Sequence, residues 1–298
     1  MQNRFVAYLW VVFAYAVALG VAVVGTAGVQ QSGWLASDAH PLYVVAVADV
    51  IGTVVIFAFS LISRNASMYD PYWSVAPVPI LGWLLMQPEA AGGNVVRQGL
   101  VAVLLGFWAV RLTLNWATGW RGLHHEDWRY VDLAEKTGAA WPVVNLLGIH
   151  LFPTVLVFAG CAALWPAVIG AAPLGLLDAV AAIVTLGAVV VEMVADLQMR
   201  AFARDRQDPQ EVMQHGLWGW SRHPNYLGEI GFWFGLFLFA MAGGEDAWWT
   251  AVGVVSMIAL FVGISIPMME ARQVARRPSY AGVQQRIPML WPRPPKRT

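Results

Sequence analysis

Charge is scarce in this 298-residue chain: 12% of its residues are Asp, Glu, Lys or Arg, against 58% hydrophobic. A soluble domain carries about 25% charged residues, so the composition excludes an ordinary water-exposed globule. The charges that are present cancel to a formal net charge of +0. That balance lacks the basic excess with which proteins hold nucleic acid. Cysteine is nearly missing as well. Cys161 stands alone in an apolar run, which excludes an intrachain disulfide and fits plain packing. No internal repeat is evident, and the only low-complexity stretch is the closing PRPPKRT.

What is plentiful is apolar sequence in long runs. Eight stretches stand out, at about 5–27, 42–62, 72–88, 95–117, 142–169, 174–199, 223–242 and 247–268. Most have the roughly 18 or more residues that a helix needs to cross a bilayer. The third is short and interrupted by Pro77 and Pro79, so it should be tilted, broken or re-entrant and seven full spans are possible. The fifth carries Pro153 and Pro166 and should kink or end early. The opening MQNRF and the apolar run to about Val24 superficially resemble a signal peptide. The run is too long for one and further spans follow, so it reads as a first transmembrane helix. The expected fold is therefore all-α: one polytopic membrane domain over 1–298, with about eight transmembrane helices. Residues 1–62 supply its N-terminal helices, 65–298 its core, and 270–298 a tail.

Orientation follows from the basic residues. With the N-terminus in the cytosol and eight spans, every Lys and Arg falls on the cytosolic side except Arg97, placed outside, and Arg111, within a span. An odd number of spans would put the strongly basic tail outside, so both termini are expected in the cytosol.

That topology sets the depth of the ionisable residues. Arg111, Glu192, Asp196, Glu229 and Glu270 come from four spans and all lie toward the cytosolic ends. Intramembrane charges normally face a protein interior or a wet cavity and are paired. Glu192, Asp196, Arg200 and Arg204 follow at i,i+4 spacing, which makes one stripe on one helix face. It reads either as a ladder of ion pairs with snorkelling arginines or as the wall of a cleft. Asp49 is the exception, in the outer half of the second span, and receives no role. His150 reads as a hydrogen-bonded core histidine. His124, His125, Glu126 and Asp127 are consecutive rather than spaced to converge, so no metal is expected.

Between the sixth and seventh spans runs HGLWGWSRHPNYLGE, from His215 to Glu229. Its arginine, histidine, asparagine and tyrosine bring hydrogen-bonding groups to the mouth of a span, and its glycines allow close backbone approach. GLWGWSRHPNYLGE closely resembles the C-terminal signature of the steroid 5α-reductase-like family, in particular its bacterial branch. The resemblance extends to NASMYDPYW (Asn65 to Trp73), Arg111 with Asn115–Trp116, EDWRY (Glu126 to Tyr130), Asp196 with Gln198 and Phe202, Glu270 and PSYAGVQQRIP.

The resemblance implies an NADPH-dependent reductase of a carbon–carbon double bond conjugated to a carbonyl in a lipid-like substrate, in a bacterial inner membrane with its site facing the cytosol. It carries cofactor contacts to Arg111, Asp196, Arg204, Arg222, His223, Asn225, Tyr226 and Glu229. No Rossmann fingerprint is expected in such a family, and none is present. Asn65, Trp73 and Trp108 fall to the substrate side. The family's Glu–Tyr acid pair is not matched, because Trp108 occupies the tyrosine position. Tyr69 and Asp70 are the nearest polar candidates for a catalytic acid. Membrane methyltransferases similar to the isoprenylcysteine carboxyl methyltransferase share an RHP-x-Y-like block; in that alternative Glu270 and Tyr280 would serve S-adenosylmethionine. A transporter or scaffold is the non-enzymatic alternative, though the chain shows no inverted symmetry.

Overall fold

The computed structural model describes residues 3–294. Among these every regular element is helical. Seven helices are long and apolar enough to cross a membrane: α1 (Arg4–Gln31), α2 (Pro41–Ser63), α4 (Val95–Gly119), α5 (Trp128–Ile169), α6 (Leu176–Asp205), α7 (Pro224–Gly243) and α8 (Asp246–Arg276). Seven is the lower of the two counts that the sequence allowed. The third stretch breaks into a turn of helix at Tyr72–Val75 and a short α3 (Pro77–Leu85). Pro77 opens α3 at its first position, where a missing N–H is harmless. A last helix, α9 (Tyr280–Arg286), follows α8. Lys296 and Arg297 of the basic tail lie outside the described residues.

The described residues fall into two compact units, 3–91 with 108–165, and 92–107 with 166–294. In the first, α1 and α2 pair through small residues. Ala7, Val11, Ala14, Ala18 and Ala22 are buried along one stripe of α1, which lets two backbones approach as they do in bilayers. The opposite face leaves Phe5, Val12 and Val24 more than 60% exposed, as lipid-facing side chains are.

Residues 66–94 form only short helices. Asn65, just past α2, donates to the carbonyls of Leu123 and His125 at 3.0 and 3.1 Å, just past the end of α4. In α5 a π-helical turn at Asn145–Leu151 ends two residues before Pro153, and such a turn relieves the clash a proline ring makes inside a helix.

Candidate functional site

In the second unit α6 and α7 meet almost backbone to backbone. A β-carbon on Gly228 would stand 2.6 Å from Glu192 Cβ, and one on Gly235 2.0 Å from Thr185 Oγ1. Glycine at these positions brings the first turns of α7 against the polar stripe of α6. That stripe exists, but as a gradient: Glu192 is buried, Asp196 half-buried, and Arg200 and Arg204 exposed. Arg204 pairs with its neighbour Asp205 at 2.6 Å, its side chain 75% exposed, a pairing of small energetic weight.

The loop from His215 is tied to the same helix. Gln198 Oε1 accepts from the Leu217 N–H at 2.9 Å, and the Trp218 indole donates to the Ala195 carbonyl at 3.0 Å. Gly216 sits at φ +60°, where a side chain would also collide with Gln198. These contacts aim the chain into α7 at Pro224.

Arg222 and Glu270 form the centre of a clamp. Arg222 Nε meets Glu270 Oε1 at 2.6 Å, and its Nη2 meets Oε2 at 3.3 Å. Nη1 donates to the carbonyls of Gln284 and Ile287. Glu270 also accepts from the Gln284 amide at 2.7 Å and contacts His223 Nε2 at 2.9 Å. The Arg222 and His223 amides donate to the Pro288 and Met289 carbonyls. Every guanidinium nitrogen of Arg222 is thus engaged in fastening the tail to the loop, rather than presented to a phosphate. Glu270 and Tyr280, the pair that the methyltransferase alternative relied on, belong to this clamp as well, their oxygens 3.5 Å apart.

Beyond the clamp, His223 stacks on Tyr226 (centroids 5.4 Å, planes 6° apart), and Tyr226 on Phe261 (4.5 Å, 24°). Glu229 accepts from the Trp233 indole at 2.9 Å, both side chains buried. Asn225 Oδ1 is buried with no donor. Leaving such a group unmade costs about 1–3 kcal/mol. The structure therefore gathers His223, Asn225, Tyr226 and Glu229 on one helix start, against the stripe that carries Asp196.

The remaining candidates belong to the first unit. Trp108 and Arg111 are buried on α4. Asn65 has its amide on the two loop carbonyls and its oxygen on the Ser67 N–H, so it fastens loops together. Trp73 packs half-buried against the cluster around Tyr69 and Tyr72. Tyr69 is fully buried, its hydroxyl 2.7 Å from Thr154 Oγ1, and burial pushes that phenol well above its ordinary range. Glu126 accepts from the Ala66 N–H and Asp127 caps α5 through the Arg129 N–H, so the His124–Asp127 run organises a loop.

Asp70 differs from its neighbour. It accepts from the Tyr130 hydroxyl at 2.7 Å and lines a cavity of about 200 Å³ together with Asn115, Trp116, Trp120, His125 and Asp127. Trp116 and Trp120 stack at 5.0 Å and 26°, and the indole Nε1 of each is buried without an acceptor. Burial pushes the Asp70 carboxyl up to about 7, against the downward pull of the Tyr130 hydrogen bond and of Arg129.

A pH dependence follows. Between about pH 4 and pH 7 the folded protein holds a proton on Asp70 that the unfolded chain has released. Stability should fall as pH rises through that window, by on the order of 4 kcal/mol for one proton over about three pH units, and level off above it. Asp70→Asn should abolish that share of the slope in melts of the detergent-solubilised protein at pH 5 and pH 8. An unchanged slope would show that Asp70 is not held neutral.

Sequence reasoning missed the partners that complete these arrangements: Gln284 and the Ile287 carbonyl on the clamp, Trp233 on Glu229, Trp120 in the cavity wall. Each lies dozens of residues from, or one helical turn along from, the group it meets; Gln284 and Ile287 sit inside PSYAGVQQRIP, but nothing in that motif names their partner.

A protein of Schizosaccharomyces pombe described as uncharacterised is 24% identical over 281 residues, covering 86% of this chain and 81% of its own length. No solved structure matches the chain significantly. Residues 56–287 match the family described as protein of unknown function (DUF1295), a steroid 5α-reductase-like family. With its RHPNY turn on α7 inside that match, the chain belongs to this family of membrane proteins.

Proposed function

We propose that the protein is a membrane-embedded, NADPH-dependent reductase of a carbon–carbon double bond conjugated to a carbonyl in a lipid-like substrate, with the nucleotide held in the second unit on its cytosolic side. The observation that carries this reading is the uncommitted acceptor of Asn225, buried at the start of α7 beside the His223–Tyr226–Phe261 stack. A carboxamide or ribose hydroxyl would complete it, and Asp196 could accept from a second hydroxyl. Family membership supports the reaction class. Arg222 would act indirectly, by holding the loop through Glu270. Arg204 and Arg200, exposed at the end of α6, would attract the phosphates by charge.

When bound, NADPH supplies the reducing equivalent, delivered to the carbon β to the carbonyl. As that bond forms, electrons move onto the carbonyl oxygen, and one proton finally adds at the α-carbon. The chain's tasks are to orient the two partners, exclude water and offer hydrogen-bond donors to that oxygen.

Equilibrium binding tests the reading. NADPH should bind the purified protein, and Asn225→Ala or Asp196→Ala should weaken binding about 10-fold, the loss of one buried hydrogen bond, with the melting temperature held. Tight S-adenosylmethionine binding without NADPH binding would overturn it in favour of a methyltransferase. Binding of neither would favour the non-enzymatic alternative.

A further inference from the structure

We propose that Arg206, Arg276 and Arg277 form a site for a phosphate oxyanion at the membrane surface, and that its ligand is the headgroup phosphodiester of an acidic phospholipid. This assignment stands apart from the reductase reading.

Two helix ends of the second unit make the site. α6 closes on Arg206, whose N–H returns to the Phe202 carbonyl at 2.9 Å, and α8 closes on Arg277, whose N–H returns to the Gln273 carbonyl at 2.8 Å. Arg277 ties the ends together, because its Nε donates at 2.9 Å to the Pro209 carbonyl in the loop that leaves α6. Depth follows from length. With 30 residues in α6 and 31 in α8, each helix runs about 45 Å at 1.5 Å per residue. A bilayer with its headgroups is about 40–45 Å thick, so helices that start at one surface end among the phosphates of the other.

What the three guanidiniums lack is an anion. Among the described residues no carboxylate stands within ion-pair distance of any of them. Of the acids close in sequence, Asp205 is held by Arg204 at 2.6 and 2.9 Å. Asp208 accepts from the Gln210 N–H at 2.8 Å, and Glu211 is exposed. Arg277 spends Nε on Pro209 and Nη1 on Gln273 Oε1 at 2.6 Å, which leaves Nη2. Arg206 and Arg277 are half-buried and Arg276 is exposed, and the unbonded nitrogens of the first two are not sealed from solvent. A ligand can therefore reach them. Burial, with Arg206 and Arg276 beside it, pushes the Arg277 guanidinium below its ordinary range.

Helix ends alone do not account for the cluster. A helix C-terminus carries roughly half a negative charge, so two of them balance about one cation, and three are gathered here. The remainder calls for an external anion. A guanidinium fork matches two oxygens of a phosphate and is weakly hydrated, and at this depth phosphodiesters are the anions at hand. A zwitterionic headgroup brings its own ammonium, which the other guanidiniums would repel. A glycerol headgroup brings none, so acidic lipid fits.

Native mass spectrometry of the full-length protein in detergent tests this, with phosphatidylglycerol and phosphatidylcholine of equal chain length as probes. Phosphatidylglycerol should bind about 10-fold more tightly or better, as one retained lipid. Arg206→Gln and Arg276→Gln remove charge without removing a protein hydrogen bond. Each should weaken that binding about 5-fold, the share of one arginine near an anionic surface, with the melting temperature held. Arg277→Gln should weaken it as well and lower the melting temperature, since the Pro209 carbonyl loses its donor. Arg293→Gln makes the same charge change in the tail and should leave the affinity as it is. An equal loss in Arg293→Gln would replace the site with a diffuse basic surface and sink the proposal. Equal binding of the two lipids would sink it too, whether or not any variant folds. Displacement of phosphatidylglycerol by NADPH or by inorganic phosphate would assign the arginines to a soluble phosphate and overturn the lipid.

Discussion

Replacing Glu270 with alanine should destabilise the second unit by about 3–5 kcal/mol, the usual consequence of removing one partner of a buried ion pair. The side chains of Arg222 and Glu270 are 10% and 11% exposed, so the guanidinium could not turn to water when its carboxylate is lost. Gln284 would lose its acceptor in the same change. Glu270→Gln keeps the shape and removes the charge, so it should fall between wild type and alanine. Arg222→Ala should cost about as much as Glu270→Ala. The two together should cost less than their sum, because each single change already strands the other group. Trypsin offers a local readout: Arg286 ends α9 just before the Ile287 carbonyl that Arg222 holds. Cleavage there should be slow in the wild type and fast in the alanine variant. If neither the melting temperature nor the cleavage rate moves, the clamp does not hold the tail.

The clamp also shows how far the sequence could be read. The RHPNY turn, Glu270 and the Tyr280-containing tail were all visible as motif pieces, and the charge stripe of α6 was visible from i,i+4 spacing alone. Membrane spans were legible because a bilayer demands long apolar helices, and proline placed the breaks at Pro77 and before Pro153. What the pieces do to one another was not legible. An arginine beside a histidine at a span's mouth suits a phosphate as well as it suits a carboxylate 48 residues on. Only the fold shows that Arg222 has its carboxylate already. Tyr69 and Asp70 were likewise equal in the sequence. One is sealed against Thr154 and the other borders a cavity, because adjacent residues in a tight turn point to different surroundings. Of the stacked pair, Trp116 was visible beside Asn115 as a motif piece, while Trp120 carried no signal. Their spacing of four is as good for packing as for a site, and the lack of an acceptor is a property of three-dimensional surroundings.

Arg97 is the other residue whose meaning changed, and its removal should be as costly as that of Glu270. The charge count set it apart as the one basic residue beyond the cytosolic side. In the structure its side chain is fully buried and meets Asp178 at 2.6 Å through Nε and 3.1 Å through Nη2. It also donates to the carbonyls of Gly170 and Ala172 at 2.9 and 3.1 Å. Asp178 in turn accepts from the Gly175 N–H at 2.9 Å, across the first turn of α6. The guanidinium thus shares the carbonyls of the 170–175 connection with Asn94, whose backbone N–H donates to Gly170 at 2.9 Å and whose side-chain amide donates to Ala172 at 3.3 Å. Arg97→Met should lower stability by about 3–5 kcal/mol, since the buried Asp178 carboxylate loses its counter-charge and each of the two carbonyls loses one of its donors. Asp178→Asn should cost less, because the carbonyl bonds to Arg97 survive and the amide oxygen can still accept. The ordering is the discriminating result in thermal melts of the solubilised variants. If Arg97 acted only as a topology-setting charge outside the membrane, both variants would melt like the wild type and insertion would change instead. A melt shifted in the order Arg97→Met, then Asp178→Asn, then wild type identifies it as the fastening of α4 to the start of α6.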